Sequence, residues 1–384
     1  MPMINSRLWV LLPMLIGTAA HALVSRPSQS PPLRAIFSDI DGTLVHYAKD
    51  FTKHGIRLLS SDETSSTAIV ENENGDRRKC RLLPSSTMGP ACISERTIEL
   101  VDELRREHGV LFCVVTAARK STMVSRWDLL PNCDAHVCES GSRIWVNGIP
   151  DEEFSNRFAS VCGPMNREAE GADERIEPLW RFYRKLKEDV PGLAMDSRSY
   201  YGMFRVGTRG DVAVEAALRD VIRTSLPDDV SCATNLGKYD FYPSVAGKGG
   251  AVSYLQKLFG VSESETAALF DDDNDLPMAE RCGIHMLPGL TSDSVKAAAI
   301  CEQPGWYVAN TVGQGVFAIE ECLEVLLERA RVDSGRRQQL QEQQQQQQQH
   351  DEDGLRKSDD IEELLQEVKE ATLTAPLKKN KVTR

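Results

Sequence analysis

The chain has 384 residues, of which 41% are hydrophobic, and it carries a formal net charge of −12 at pH 7. This length allows two domains, or one domain with an inserted module and tails, and the apolar fraction is enough for a hydrophobic core. Because contacts with nucleic-acid phosphates need a basic face, the acidic balance predicts that the chain binds no nucleic acid. A small anionic substrate remains possible if basic residues gather locally.

Residues 1–22 are typical of a signal peptide. Arg7 precedes the apolar run 8–16, and Ala20-His21-Ala22 offers a small-residue cleavage site. The run is too short to span a bilayer comfortably, so we expect no stable membrane span in the mature chain. The following linker, residues 23–33, is rich in Ser, Pro and Arg, which also suits the second part of an organelle presequence. Entry into the secretory pathway and delivery to a plastid or other organelle both stay open.

The stretch 35–44 carries the first chemical signal. Its short apolar run ends in Asp39 and Asp41, followed by Gly-Thr, which predicts a buried parallel strand with both carboxylates at its carboxyl end. Ligands of open α/β sheets bind at that edge. Two acids this close repel each other unless a cation lies between them, and such oxygen ligands suit Mg²⁺. A plain Asp-Gly turn is the alternative, but it does not explain the first acid.

Residues 50–90 are predicted to be an insertion. Two strand-like runs, 67–70 and 79–83, flank Asn74-Gly75, which is a strong signal for a β-hairpin. Because the insertion follows the first acids directly, the hairpin could form a flap over the site. A decorative surface hairpin is the alternative.

The next segment alternates helix and strand. Ser94 opens a periodic segment that predicts a helix ending near Gly109, and the apolar run 110–115 predicts a strand closed by Thr116. This order predicts an α/β fold with a doubly wound parallel sheet, whose first part covers residues 34–149. Thr116 then lies at the same carboxyl edge as Asp39.

Between residues 150 and 236 the pattern changes. Helical and strand-like periods alternate over short distances, which predicts a small α+β cap inserted into the core. The predicted helices and strands of the cap are 179–190, 200–206, 212–224 and 230–234.

The core is expected to resume over residues 237–332. Gly247-Lys248 opens a helix, and the apolar strand 267–270 ends in the acidic run Asp271–Asp275. A strand near 284–287 and a helix near 316–331 complete the predicted core.

Residues 333–384 are predicted to be a disordered tail. They contain a glutamine tract at 338–349 and a charged segment after it. Such sequences bury too little apolar surface to order themselves. Residues 359–373 could instead form a lone amphipathic helix for a partner.

Four motifs fall at predicted strand ends or helix starts: Asp39/Asp41, Thr116, Lys248 and Asp271–Asp275. Together they supply what phosphoryl transfer needs, namely a nucleophile, a metal site, donors to phosphate oxygens and an acid/base. This set resembles the haloacid dehalogenase superfamily of phosphatases over about residues 33–331. The position of the cap, between the second and third motifs, is similar to the branch of Cof-type sugar phosphatases and sucrose-phosphate phosphatase.

The resemblance implies a role for each matching residue. Asp39 would be the nucleophile that forms an aspartyl-phosphate, and Asp41 would be the general acid and then the base. Thr116, Lys248 and Asn274 would bind the substrate phosphate.

The resemblance also implies a cofactor and a specificity surface. Mg²⁺ would be bound by Asp39, by the backbone carbonyl of Asp41, by Asp271 and, in a more distant layer, by Asp275. The basic candidates for substrate recognition are Arg119, Arg205 and Lys238.

Two positions depart from the family pattern. Ala117 follows Thr116 where Gly is common, which changes a loop that helps to contact the substrate. Phe270 replaces the usual Gly before Asp271, but that position is still strand.

We therefore expect a Mg²⁺-dependent hydrolase of a small phosphorylated metabolite, with a sugar phosphate as the leading substrate class. A phosphomutase of the same superfamily is the nearest alternative. A non-catalytic binding protein that kept the fold is the alternative from another functional class.

Overall fold

The computed structural model describes residues 30–84, 89–167, 169–235, 237–301, 305–311 and 315–374. The predicted signal peptide, 1–22, and most of the linker after it lie outside these ranges and stay predictions. The chain divides into two compact units, Met1–Ala330 and Arg331–Arg384. Among the described residues, no helix combines the length and apolarity needed to cross a membrane.

An eight-stranded sheet forms the core of the first unit. Its strands are, in spatial order, Ile149–Pro150, Arg143–Val146, Ala135–Cys138, Leu111–Val115, Ala35–Ser38, Thr266–Leu269, Ile284–Leu287 and Trp306–Val308. The last six pair in parallel, and the first two add an antiparallel edge. The strand Ala35–Ser38 is buried along its whole length, because a sheet covered on both faces needs apolar side chains on both sides. The predicted doubly wound α/β core is confirmed.

Helices connect and cover these strands. Those of the core are Glu95–His108, Lys120–Arg126, Gly247–Phe259, Leu276–Ala279, Asp293–Cys301 and the beginning of Val316–Thr374. The helix predicted between Ser94 and Gly109 has the expected ends. The Ser94 side chain accepts a hydrogen bond from the Thr97 backbone, and Gly109 ends the helix at φ 66°.

The insertion is a five-stranded antiparallel sheet, and it is larger than the predicted hairpin. Its spatial order is His46–Tyr47, Ala91–Ser94, Arg77–Leu83, Thr67–Asn72 and Ile56–Asp62. The hairpin around Gly75 is present, with Thr67 opposite Arg81. The strand Ile56–Asp62 escaped prediction because every residue after Ile56 is exposed, so its sequence shows no alternation of apolar and polar residues.

The cap contains a four-stranded antiparallel sheet with two main helices. The strands are Ala194–Asp196, Phe204–Gly207, Lys238–Pro243 and Val230–Asn235 in spatial order, and the helices are Pro178–Asp189 and Val212–Ser225, after the short helices Glu152–Asn156 and Ala159–Cys162. Phe204 and Phe241 stack at 4.8 Å between ring centroids and anchor the cap core beside the buried Trp180.

The predicted end of the cap at residue 236 was wrong. The strand Lys238–Pro243 pairs with Phe204–Gly207 on one side and with Val230–Asn235 on the other, so it belongs to the cap sheet. The core resumes at the helix that begins at Gly247. An apolar run shows that a strand is buried, but only the pairing shows which sheet contains it.

The predicted disorder of residues 333–384 does not hold for residues 333–374. The helix that begins at Val316 continues to Thr374 and includes the glutamine tract. Glutamine and glutamate are good helix formers, and a helix that has already nucleated extends at little cost per residue. Residues 375–384 lie outside the described ranges.

A close approach of two loops fixes the start of the helix Gly247–Phe259. Gly141 has φ +91°, and a Cβ atom there would lie 2.1 Å from the backbone oxygen of Gly247. Gly148 has a similar φ of +79°, but nothing lies within 4 Å of the corresponding Cβ position. Substitutions at the two glycines can therefore be compared: both incur the cost of positive φ, but only the one at Gly141 also incurs a steric clash.

We expect Gly141→Ala to lower the free energy of unfolding by about 2 kcal/mol more than Gly148→Ala does. Both variants place an alanine at positive φ, but only the first also displaces the backbone at Gly247. Urea denaturation of the two variants measures the difference. Equal losses of unfolding free energy in the two variants would show that the turn at Gly141 can shift to accommodate the added methyl group.

Candidate active site

Three neighbouring strands deliver the first set of side chains. Asp39 directly follows Ala35–Ser38, and Asp271 follows Thr266–Leu269 after one intervening residue. Ser38 lies opposite Leu269 in this parallel pair, so both acids leave the sheet at the same edge. Thr116 leaves the strand on the other side of Ala35–Ser38. The prediction that these residues share one carboxyl edge is confirmed.

Lys248 joins this set from the start of its helix. Its side chain is 2% exposed, and its Nζ donates hydrogen bonds to Asp39 Oδ1 at 2.6 Å and to Asp275 Oδ1. Burial disfavours the charged ammonium, but the carboxylates of Asp275 and Asp39 outweigh it and raise the pKa of Lys248 above its usual range. The group is therefore a fixed cation beside Asp39.

Asp39, Asp271 and Asp275 form a buried cluster of carboxylates. Oxygen atoms of the three side chains lie within 4.8 Å of one another. Burial, reinforced by the charge of Asp275, raises the pKa of Asp271 to about 7. Burial also raises the pKa of Asp39, against the lowering effect of Lys248. When all three carboxylates are ionised, the cluster carries more negative charge than the one ammonium group of Lys248 balances.

The loop after Asp41 fits closely around Asp271. The Thr43 hydroxyl donates to Asp271 Oδ1 at 2.7 Å. Gly42 has φ +102°, and a Cβ atom there would lie 2.3 Å from Asp271 Oδ2. A side chain at position 42 would thus occupy the space of the carboxylate, which explains the Gly-Thr pair of the first motif.

These carboxylates fit a hard divalent cation such as Mg²⁺. The donors are oxygens that are buried together, and a dication would offset their mutual repulsion. Asp275 already accepts from Lys248 and from the backbone of Asp272, which suits a supporting position more than direct ligation. The Asp41 carboxylate lies outside the cluster, so only its backbone carbonyl is a candidate ligand.

The Asp41 side chain has two partners that the sequence did not indicate. The Tyr47 hydroxyl donates to Asp41 Oδ1 at 2.5 Å, and Arg126 Nη1 donates to the same oxygen at 2.6 Å. Burial and the nearby Asp41 raise the pKa of Tyr47 above its usual range, so its hydroxyl keeps the proton that it donates. Tyr47 comes from the insertion and Arg126 from the helix Lys120–Arg126, so no local motif links them to Asp41.

A cavity of about 140 Å³ lies between the core and the cap above these groups. Of the predicted site residues, eight line it: Asp39, Asp41, Thr116, Arg119, Arg205, Lys238, Asp271 and Asn274. Thr116 is buried, and its Oγ1 accepts from the Ala118 backbone at 3.1 Å. The structure thus brings the core motifs and the cap candidates to one cavity, with Lys248 and Asp275 bonded beneath it.

The basic candidates differ in how their charge is compensated. Arg119 Nη2 donates to Asp196 of the cap at 2.6 Å, and Arg205 forms two hydrogen bonds with Asp240 at 2.5 and 2.6 Å. Lys238 is exposed and has no ion-pair partner among the described residues. The uncompensated charge of Lys238 makes it the strongest of the three candidates for contacting an anionic or hydroxyl-rich substrate.

A second cavity, of about 300 Å³, adjoins the first at Asp41 and Asp271. It is lined in part by His46 and by Thr234 near the end of a cap strand. Burial lowers the pKa of His46 to about 3, so its ring is neutral, and its Nε2 has no hydrogen-bond partner among the described residues. The space around the acids therefore extends towards the insertion as well as towards the cap.

Comparison with known proteins supports the predicted resemblance. A family model of haloacid dehalogenase-like hydrolases matches residues 210–305, which include Lys248 and the acidic run. A "Putative phosphatase" of Haemophilus influenzae is 21% identical over 223 residues, covering 54% of this chain and 84% of the relative. The resemblance to haloacid dehalogenase-like hydrolases is confirmed over residues 210–305, and both matches support the prediction of a phosphatase of this type.

Solved structures of similar proteins include two phosphatases. Sucrose-phosphatase from Synechocystis, in complex with sucrose and phosphate, has a TM-score of 0.49 and 13% identity, covering 77% of this chain and 98% of that protein. The C-terminal domain of trehalose-6-phosphate phosphatase from C. albicans has a TM-score of 0.43 and 15% identity, covering 80% of this chain and 96% of that domain.

We expect Mg²⁺ to stabilise the protein more strongly at about pH 8 than at about pH 5. Asp271 has a pKa of about 7 in the folded chain against a usual value of 3.8. The folded state therefore holds the extra proton, and the metal-free protein loses stability as the pH rises through this interval. Mg²⁺ needs the ionised carboxylates and should reverse the loss.

Thermal unfolding with and without Mg²⁺ at both pH values checks this expectation. The variant Asp271→Asn is the control, since it removes the contribution of Asp271 to this titration and should weaken the pH dependence of the Mg²⁺ effect. A Mg²⁺-induced shift in Tm that is equal at both pH values in the unmodified chain would contradict the assignment of Asp271 to the metal.

Proposed function

We propose that the chain is a Mg²⁺-dependent phosphatase that hydrolyses a small phosphomonoester through an aspartyl-phosphate on Asp39. The observation that carries the proposal is the position of Asp39. It is hydrogen-bonded to Lys248, belongs to the carboxylate cluster and lines a cavity that Asp41 also lines. A nucleophile, a fixed cation and an acid/base are thereby within one site.

The first step forms a bond between Asp39 and phosphorus. Lys248 bonds Oδ1 of Asp39, which leaves Oδ2 to attack. As that bond forms, the bond from phosphorus to the ester oxygen breaks, and the ester oxygen takes a proton from the Asp41 carboxyl group. The products of this step are the free alcohol and the aspartyl-phosphate.

The second step releases phosphate. A water molecule gives a proton to the Asp41 carboxylate while its oxygen bonds to phosphorus, and the bond between phosphorus and Asp39 breaks. Asp39 and the proton on Asp41 are thereby restored. Mg²⁺, when bound, neutralises charge on the phosphoryl oxygens. In this proposal Thr116 and Asn274, which line the same cavity, donate hydrogen bonds to those oxygens.

The substrate class that we propose is a sugar phosphate. The cavity walls are polar and charged, and they include Lys238 and Asn235 of the cap and Arg119 and Thr122 of the core. Such walls suit a hydroxyl-rich leaving group better than an apolar one. A phosphomutase would use the same first motif, so identification of the product distinguishes it: free phosphate supports hydrolysis, whereas an isomerised sugar phosphate supports transfer.

We expect Asp39→Asn to abolish turnover, because no covalent intermediate can form without the carboxylate. Asp41→Asn should retain attack on a substrate with a good leaving group but should hydrolyse the intermediate slowly, at a cost of about 10²–10⁴-fold. Mass spectrometry of Asp41→Asn after brief exposure to p-nitrophenyl phosphate and Mg²⁺ should find phosphate on the peptide that contains Asp39. Phosphate on another residue, or substantial turnover by Asp39→Asn, would refute the mechanism.

We expect Lys238→Ala to raise KM for the preferred sugar phosphate by roughly tenfold, which is the cost of one charge-assisted hydrogen bond. KM for p-nitrophenyl phosphate should change little, because this compound has no sugar hydroxyls for the cap to bind. Phosphate release from a panel of phosphorylated sugars identifies the preferred substrate first. Lys257→Ala, on an exposed position of the helix Gly247–Phe259, is the matched control. Equal changes in KM for both substrates would move Lys238 out of the sugar subsite.

A further inference from the structure

We propose that Tyr47 and Arg126 are positioning residues that hold the Asp41 carboxylate in the orientation required for proton transfer. This makes the inserted sheet part of the catalytic apparatus and not a surface decoration. The inference rests on the proposed function, since it concerns how Asp41 exchanges protons with the leaving group and with water.

The hydrogen bonds define one orientation of the carboxylate. The Tyr47 hydroxyl and Arg126 Nη1 both donate to Oδ1 of Asp41, at 2.5 and 2.6 Å. Arg126 Nη2 also donates to the Tyr47 hydroxyl at 3.2 Å, so the three groups form a closed triangle. No residue in the described ranges hydrogen-bonds to Oδ2 of Asp41, which leaves that oxygen to exchange protons at the cavity.

Because Tyr47 and Arg126 are buried, losing their hydrogen bonds to Asp41 would leave polar groups without partners. Tyr47 is 5% exposed and Arg126 is 3% exposed. A buried guanidinium is tolerated only when it is paired and its N–H groups are satisfied. Arg126 meets this condition with the Asp41 carboxylate, the Tyr47 hydroxyl and the Pro84 carbonyl oxygen, which its Nε contacts at 2.9 Å. Among these partners, Asp41 supplies the carboxyl group, which balances the guanidinium charge whenever it is ionised.

The insertion supplies two of the contacts that define this triangle. Tyr47 ends the strand His46–Tyr47, which pairs with Ala91–Ser94. Pro84 follows the strand Arg77–Leu83 of the same sheet. The sheet thus presents a hydroxyl donor to Asp41 and a carbonyl acceptor to Arg126. Arg126 bonds both the Pro84 carbonyl of the inserted sheet and the Asp41 carboxylate, so the position of the sheet helps to determine the position of Asp41.

The chemistry gives a readout that separates positioning from general stability. A misplaced Asp41 impairs protonation of the departing oxygen, and this matters more for a poor leaving group than for a good one. The ratio kcat/KM reports the phosphorylation of Asp39, which includes this proton transfer. Phenyl phosphate and p-nitrophenyl phosphate have similar shapes but differ in how well their phenolates leave.

The test uses the full-length chain and Mg²⁺ with the variants Tyr47→Phe and Arg126→Lys. We expect kcat/KM for phenyl phosphate to fall at least about tenfold, and kcat/KM for p-nitrophenyl phosphate to fall less than about threefold. Two matched controls remove similar contacts elsewhere. Tyr307→Phe removes a hydroxyl that bonds Glu321, and Arg105→Lys disturbs a bidentate pair with Asp134. Both controls should change the two substrates equally.

Equal losses on both substrates in Tyr47→Phe and Arg126→Lys would overturn the inference while leaving the proposed function intact. An unmodified protein without Mg²⁺-dependent activity on either compound would count against the proposed function instead. Crystal structures test the geometry independently of activity. In the double variant Tyr47→Phe/Arg126→Met the Asp41 carboxylate should rotate away from the orientation that it has in the unmodified protein. An unchanged carboxylate there would overturn the inference whatever the kinetics.

Discussion

The hydrogen bonds of one buried ammonium group to two carboxylates organise this site. Lys248 is bonded to Asp39 and Asp275, with Asp271 close by. Buried charges are stable only when they are paired and hydrogen-bonded. The helix that carries Lys248 must therefore begin at a fixed point, and the contact of Gly141 with Gly247 fixes that start. Burial, reinforced by the charge of Asp275, then raises the pKa of Asp271, and the three carboxylates are a donor set that suits a dication.

The insertion and the cap each contribute side chains that bind charged groups of this site. The insertion contacts Asp41 through Tyr47, whereas the cap contributes Asp196 and Asp240, which compensate the guanidinium charges of Arg119 and Arg205. Most of the charged groups around the cavity are thus paired within the protein. Pairing lowers the cost of burying them and fixes their geometry before a substrate arrives, which is the condition for electrostatic catalysis.

The connection between core and cap also depends on a buried charge. Glu139 is fully buried, and its carboxylate accepts from Arg143 Nε at 2.7 Å and from the Tyr201 backbone at 2.8 Å. Glu139 and Ser140 both have positive φ, which costs free energy in residues other than glycine. This turn brings Gly141 into contact with the backbone of Gly247. The turn that binds the cap through Glu139 and Tyr201 therefore also positions the start of the helix that carries Lys248.

The sequence alone determined the parallel core and the strand-end positions of Asp39, Thr116 and Asp271, because continuous apolar runs and their terminal polar residues are local patterns. It did not determine the cap boundary or the partners of Asp41. Strand Lys238–Pro243 has the same apolar character whether it joins the core or the cap, and only pairing decides. Tyr47 and Arg126 are 79 residues apart and meet at Asp41 only after the insertion folds against the core. Contacts between distant segments leave no periodic signal in a single sequence, so tertiary structure alone revealed them.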